Sequence, residues 1–274
     1  MSNKGKLYLV PNTLDFGVDG AAVDLQQVLP LHILQTAARL NHWAAENAKT
    51  TRAFLKRVNE IVPLTQPLQA LDIQELPRPP KGGKPTQSPD WRKLLTPCLD
   101  GHDVGLISEA GLPAVADPGA LLVEAAHAAG IEVVPLSGPS SLLMALSASG
   151  LNGQSFAFVG YLPVEAGARA ARIRELEALS IKQQQTQLMI ETPYRNTALL
   201  QALLSTLKPS TRLSVSCGLT LPGGSTRSLC VAEWRSAKKN CRTRCRQFLR
   251  SWVDQPINRS TDQPINRSTD QLIN

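Results

Sequence analysis

Residues 103–150 read DVGLISEAGLPAVADPGALLVEAAHAAGIEVVPLSGPSSLLMALSASG, and this stretch decides the fold. The run from Asp103 to Ser108 is short and apolar, as a buried strand requires. Gly111 to Pro118 carries two prolines and reads as a loop. Over 119–129, Leu121, Leu122, Ala125, Ala126 and Ala129 share one helical face, and Gly130 ends the helix. Residues 131–136 form a second strand pattern. Ser137-Gly138-Pro139-Ser140-Ser141 is a tight loop, and 142–149 is a second helix stopped by Gly150. Strand, loop and helix, twice over, predict an α/β fold with a mostly parallel sheet.

The pattern extends in both directions. Before it, residues 6–10 read as a short strand stopped by Pro11. Residues 21–40 are amphipathic and helical with a break at Pro30, 44–59 give a second helical pattern, and 91–99 a third. Residues 63–90, rich in Pro, Gly, Gln and Lys, read as a loop. After it, strands are expected at 156–161, 186–191 and 213–217, with helices at 165–180 and 197–207. Two successive α/β series predict two domains, 1–152 and 153–250, with a boundary near 150–154.

Composition limits the function classes. The chain has 274 residues, 42% hydrophobic but only 4% aromatic, so its core must be aliphatic. No apolar run approaches the ~20 residues that span a bilayer, and no secretory signal is visible near the start. The five cysteines are odd in number and lack a CxxC, which reads as reduced thiols in a cytoplasmic protein. Four histidines without ligand spacing point to no metal site. The net charge of +7 is local: Arg235, Lys238, Lys239, Arg242, Arg244, Arg246 and Arg250 fall in one acid-free stretch that accounts for all of it.

Two loops are placed for chemistry. Ser108, Glu109, Ala110, Gly111, Leu112 and Pro113, continuing to Asp117-Pro118-Gly119, follow a strand at the edge where open α/β sheets bind ligands. The alternative is an ordinary turn with two helix-stopping prolines. Ser140 and Ser141 open the next helix, where free N–H groups suit a ligand; the plainer role is a helix cap. No Walker A, GxGxxG or GxSxG pattern is present.

Residues 104–163 strongly resemble the tetrapyrrole (corrin/porphyrin) methylase superfamily, in the branch that methylates a ribose 2′-hydroxyl of small-subunit ribosomal RNA. SEAGLPAVADPG is similar to that branch's S-D-A-G-x-P-x-x-x-D-P-G. SGPSSLLMALSASGL resembles its PGP loop and following helix, FAFVGYLP its F-x-F-x-G-F/Y-L-P, and Glu191-Thr192-Pro193-Tyr194-Arg195 its E-[SA]-P-x-R. The resemblance implies two α/β domains, a homodimer, and S-adenosylmethionine in the cleft between domains, held largely by main chain. Matched by motif, the binding residues are Ser108 to Pro113, Ser140, Ser141, Glu191, Thr192 and Pro193. It implies an RNA or ribosomal-subunit substrate; a small tetrapyrrole-like acceptor, or a chain that keeps binding without catalysis, are the competing readings. A hydroxyl nucleophile needs its proton removed. Glu46 and Glu109 are candidates, and either serves equally as a cap or a surface carboxylate.

The chain departs from the branch at several places. Val10-Pro11-Asn12-Thr13-Leu14-Asp15 replaces A-T-P-I-G-N-L-x-D. Glu46-Asn47-Ala48-Lys49-Thr50-Thr51-Arg52 keeps the Glu and Thr-Arg of E-D-T-R without its Asp, and Cys217-Gly218-Leu219-Thr220-Leu221 replaces R-E-L-T-K. These lie in the substrate-facing part of the family pattern. At the C-terminus, KKNCRTRCRQFLRSW (238–252) shows no apolar alternation, and DQPINRST occurs twice over 254–269. The expected reading is a frameshifted, surface-lying basic segment that leaves the second sheet's edge uncovered, followed by a disordered repetitive tail over 251–274.

Overall fold

The computed structural model describes residues 4–15, 23–77, 90–192, 194–237 and, by backbone course, 248–253. The first sheet contains β1 (Leu7–Val10), β2 (His42–Ala45), β3 (Asp72–Glu75), β4 (Val104–Ile107) and β5 (Val133–Pro135). Their order is β3-β2-β4-β1-β5, and every pairing is parallel. All five strands therefore end at one edge, and the loops after β4, β1 and β5 are neighbours there.

Around this sheet lie α1 (Leu25–Val28), α2 (Leu31–Arg39), α3 (Ala48–Asn59), α4 (Thr96–Leu99) and α5 (Ala120–Ala128). Pro30 sits at the N-cap of α2 and separates it from α1, as its missing N–H and fixed φ favour. Asn47 starts α3: its Oδ1 accepts the N–H groups of Lys49 at 2.9 Å and Thr50 at 3.3 Å. One apolar cluster joins α2 and α3 to the sheet through Leu34, Trp43, Phe54 and Leu55. A second cluster, with Leu95, Leu106, Leu122 and Ala126, covers the other face.

The second sheet holds β6 (Phe156–Phe158), β7 (Thr186–Glu191), β8 (Arg212–Cys217), β9 (Ser225–Cys230) and β10 (Phe248–Val253) in the order β6-β7-β10-β8-β9. Only β6 and β7 run parallel. The other three pairings are antiparallel. The helices α7 (Ala166–Gln183), α8 (Asn196–Thr206) and α9 (Val231–Ser236) bury Ile173, Leu203, Leu213 and Trp234 against it. Helix α6 (Ser141–Ser149), which follows β5 in the chain, packs on the second sheet's strands. Leu142 and Ala145 meet Ile190 and Leu219 there, so α6 ties the two sheets together.

Several expectations are corrected. The helix expected from residue 44 begins at Ala48, because Trp43, Ala44 and Ala45 are buried in β2. The loop expected over 63–90 contains β3, an edge strand paired with β2; residues 78–89 lie outside the described residues. Leu121, placed on the buried face of α5, is exposed. Cys98 and Cys230 are free, but Cys217 is disulfide-bonded, which departs from five reduced thiols. The largest correction concerns the C-terminus. Residues 248–253 do not leave a sheet edge bare; they form β10, hydrogen-bonded between β7 and β8 at the centre of the sheet. FLRSWV is an apolar-rich hexapeptide within a basic segment, and its neighbours hid it. Residues 251–253, expected to open the disordered tail, belong to β10; the expected surface course of 238–247 and the rest of the tail, 254–274, lie outside the described residues.

A central strand cannot lose a ladder donor without leaving a buried carbonyl unpaired. Arg250→Pro should therefore destabilise the fold by at least ~2 kcal/mol, read from urea unfolding. Unchanged stability would mean that β10 does not occupy the middle of the sheet.

Candidate functional site

The loops after β1 and β4 are lashed together. The Asn12 N–H donates to Gly111 O at 2.9 Å, and the Gly111 N–H donates back to Asn12 O at 3.2 Å. The Asn12 side chain, almost fully buried, donates from Nδ2 to the carbonyls of Ser108 and Glu109, both at 3.1 Å. Its Oδ1 accepts the Thr13 N–H at 2.8 Å. Every polar atom of this side chain is thereby used. Asp15 is held in turn by the Val23 N–H at 3.0 Å and by Arg57 at 3.2 Å.

The loop after β5 closes on the same spot. Gly138 lies against Pro11; a Cβ on it would sit 2.1 Å from Pro11 Cβ, so no other residue fits. Gly111 adopts φ +68°, the left-handed region that glycine enters without cost. Ala114 and Ala116 also have positive φ, at 64° and 63°. For alanine that conformation costs roughly 1–2 kcal/mol each, strain of the kind that clusters at binding loops.

These loops and the second sheet line a cleft, partly open to solvent, with an inner volume of about 160 Å³. From the first sheet it is lined by Leu14, Ala110, Gly111, Leu112, Val115, Ala116 and Asp117. Ser140, Ser141 and Leu142 open α6 on another wall, and Tyr161, Ile190 and Glu191 close it from the second sheet. Ser140 occupies the N-cap position of α6 but makes no side-chain cap hydrogen bond. The expected capping role is therefore not performed by Ser140, and the first N–H groups of this nine-residue helix, which starts at the cavity wall, have no intrahelical partner. Glu191 is buried: its Oε1 accepts the Thr192 N–H at 2.8 Å, and Oε2 stands 3.1 Å from Arg195.

A second cavity, of about 560 Å³, lies at the ends of β2, β3 and β4 of the first sheet. Glu46, Asn47, Leu76, Pro77 and Trp91 form one side, and Glu109, Asp117, Pro118 and Leu121 the other. The exposed Leu121 walls this space. Glu46 has a positioning role: its Oε2 accepts the Glu109 N–H at 2.9 Å and so sets the start of the β4 loop. Thr50 Oγ1 stands 3.5 Å from Glu109 Oε1. Burial, then the charges of Glu46 and Glu109, push the Asp117 carboxyl up to about 7. Partial burial and the carboxylates of Asp117 and Glu191 likewise raise the Tyr161 phenol.

The structure brings Ala110, Gly111, Leu112, Ser140, Ser141 and Glu191 to the smaller cavity, and Glu46 and Glu109 to the larger one. Ser108 and Pro113 are buried behind the wall, Thr192 lies beside Glu191, and Pro193 is outside the described residues. Sequence reasoning did not single out Asn12, Tyr161 or Ile190. Tyr161 stands in the quoted FAFVGYLP, and Asn12 stood in a segment read only as a departure. Among the described residues, no three His, Cys, Asp or Glu side chains are grouped to hold a metal ion, and no helix is long and apolar enough to cross a membrane.

Comparison with known proteins agrees with this architecture. The family model described as Tetrapyrrole (Corrin/Porphyrin) Methylases matches residues 31–226. The chain belongs to that family. Among curated proteins, it is 35% identical over 176 residues to ribosomal RNA small subunit methyltransferase I of Xylella fastidiosa strain Temecula1, covering 64% of this chain and 56% of that one. It is 29% identical over 219 residues to the protein of the same name from Escherichia coli O157:H7, covering 80% of this chain and 67% of that one. The chain spans about half the length of the curated relatives it matches. Among solved structures, the methyltransferase CobJ shares the fold, with a TM-score of 0.52 at 15% identity, covering 91% of this chain and 94% of that one.

The Asp117 environment has a consequence for stability. In the folded chain this carboxyl keeps its proton up to about 7, whereas an unfolded aspartate loses it at roughly 3.9. Between those values the folded state binds more protons, so Asp117 makes stability fall as pH rises through that window. Asp117→Asn should flatten the decline and melt above the wild type at pH 8. Identical pH dependence in both proteins would contradict the environment described for Asp117.

Proposed function

We propose that the protein is an S-adenosylmethionine-dependent methyltransferase acting on RNA, with the cofactor in the cavity between the two sheets. The observation that carries the reading is the composition of that cavity. Small residues, Ala110, Gly111 and Ala116, let a ligand meet the backbone, and Leu14, Val115 and Ile190 offer apolar wall to a purine. The uncapped N–H groups of α6 and the Ser140 and Ser141 hydroxyls offer donors. Glu191 adds a buried carboxylate to the wall. These residues suit S-adenosylmethionine, whose adenine presents flat faces to an apolar wall and whose carboxylate and ribose hydroxyls take hydrogen bonds.

Bound there, S-adenosylmethionine supplies an electrophilic methyl group on a good leaving group. The protein's task is then mainly alignment and exclusion of water. The lashing of Asn12 to Gly111 fixes the wall that the methyl donor rests on, and Glu46 fixes the start of the same loop. The RNA part of the reading is supported by the names of the relatives and by the quoted motifs. The homodimer and the cytoplasmic location belong to the same proposal. Exposed Phe156 and Phe158 on edge strand β6, with exposed Tyr161 and Val164 beyond it, offer an apolar face to a second copy. A purely monomeric sedimentation profile at micromolar concentration would contradict the dimer.

Calorimetry should detect S-adenosylmethionine binding to the wild type and none to Gly111→Arg. The left-handed backbone and the added side chain both oppose the ligand there. The wild type should also transfer labelled methyl groups to small-subunit ribosomal RNA. Equal cofactor affinity in wild type and folded Gly111→Arg would remove the cavity from the account.

A further inference from the structure

The two cavities meet at one residue: Asp117 lines both, and they share no other. We propose that Asp117 is the proton acceptor of the transfer, its carboxylate beside the junction where a hydroxyl-bearing acceptor from the larger cavity meets a methyl donor in the smaller one. The inference rests on the methyltransferase reading and assigns a residue within that site.

Position comes first. A group that takes the nucleophile's proton must reach the nucleophile while it faces the methyl carbon, and only a residue common to both spaces does so. Satisfaction of hydrogen bonds points the same way. Glu46 is engaged by the Glu109 N–H, and Glu109 lies near the Thr50 hydroxyl. Both also have further interactions. No donor among the described residues bonds the Asp117 carboxyl, so it caps no helix and pins no loop. The backbone agrees as well. Asp117 follows Ala116 at φ 63°, two residues after Ala114 at φ 64°, so the loop that presents it is held under strain.

The groups that face Asp117 set its basicity. Glu46 comes from the end of β2, Glu109 from the end of β4, and Tyr161 from the segment after β6. Glu191 and Arg195 lie beyond Tyr161. Burial and the two glutamates oppose ionisation, so the carboxylate binds a proton near neutrality more strongly than an ordinary aspartate. In the transfer, the acceptor's O–H bond breaks and its proton goes to Asp117. The oxygen's electron pair forms the new bond to the methyl carbon, and the pair of the methyl–sulfur bond stays on sulfur. The products are a methyl ether, a protonated Asp117 and a neutral thioether.

Asp117→Asn keeps the shape and removes the basicity. Three readouts test it: thermal melting for the fold, calorimetry with S-adenosylhomocysteine, and single-turnover transfer to small-subunit ribosomal RNA across pH. The variant should fold and bind S-adenosylhomocysteine with an affinity close to wild type. Its transfer rate should fall ~100-fold or more, and the rate limb near neutral pH should vanish. Asp117→Glu, which restores a carboxylate, should recover part of the rate and the limb. If Asp117→Asn keeps the wild-type rate and pH profile, or if it folds but loses S-adenosylhomocysteine binding, the assignment of Asp117 as proton acceptor is overturned. If the wild type itself binds no S-adenosylhomocysteine, it is the methyltransferase reading that fails.

Discussion

The site depends on the way Asn12 joins two loops that the chain separates by almost a hundred residues. Parallel strands β1 and β4 deliver their loops side by side. Nothing in strand pairing alone fixes what those loops do next. Asn12 does so with a backbone bridge to Gly111 and a side chain spread over the carbonyls of Ser108 and Glu109. Because this amide is buried, losing it would strand those acceptors, a cost of about 1–3 kcal/mol for each group left unpaired. The cavity wall, the placement of Glu109 and the course toward Asp117 all follow from that junction.

Rigidity here serves an electrostatic arrangement that the fold would not otherwise choose. Glu46, at the end of β2, is brought to Glu109 and Asp117 of the loop after β4, and burial opposes the charge of Asp117. Two alanines in left-handed backbone conformations add strain. Such conflicts lower stability and persist only where surrounding structure over-determines them. The Asn12 junction and the close packing of Gly138 on Pro11 supply that constraint on one side. On the other, α6 packs against the second sheet through Leu142 and Ala145 while its N-terminus opens onto the cavity.

The sequence made the binding loops legible because glycine and proline punctuate them at fixed places, and the helix of 119–129 was legible because its apolar face repeats. It did not reveal β2, since Ala44 and Ala45 favour helix and only burial against the neighbouring strands overrides that preference. The polar edge strand β3 carries almost no alternation to read. The central strand β10 was hidden because its partners lie far away in the chain and basic residues surround it. Asp117 was visible as part of a motif, but its role was not. The carboxylates that raise its proton affinity are more than sixty residues apart from one another in the sequence and meet only through the order of β2 and β4.

The central claim is that the space between the two sheets is the cofactor site. A crystal structure of the protein grown with S-adenosylhomocysteine tests it most directly. The account predicts ligand density bounded by Gly111 and Ala116 on one side, the start of α6 on a second, and Tyr161 and Glu191 on a third. Density for the ligand elsewhere on the molecule, with this cavity left to solvent, would contradict it.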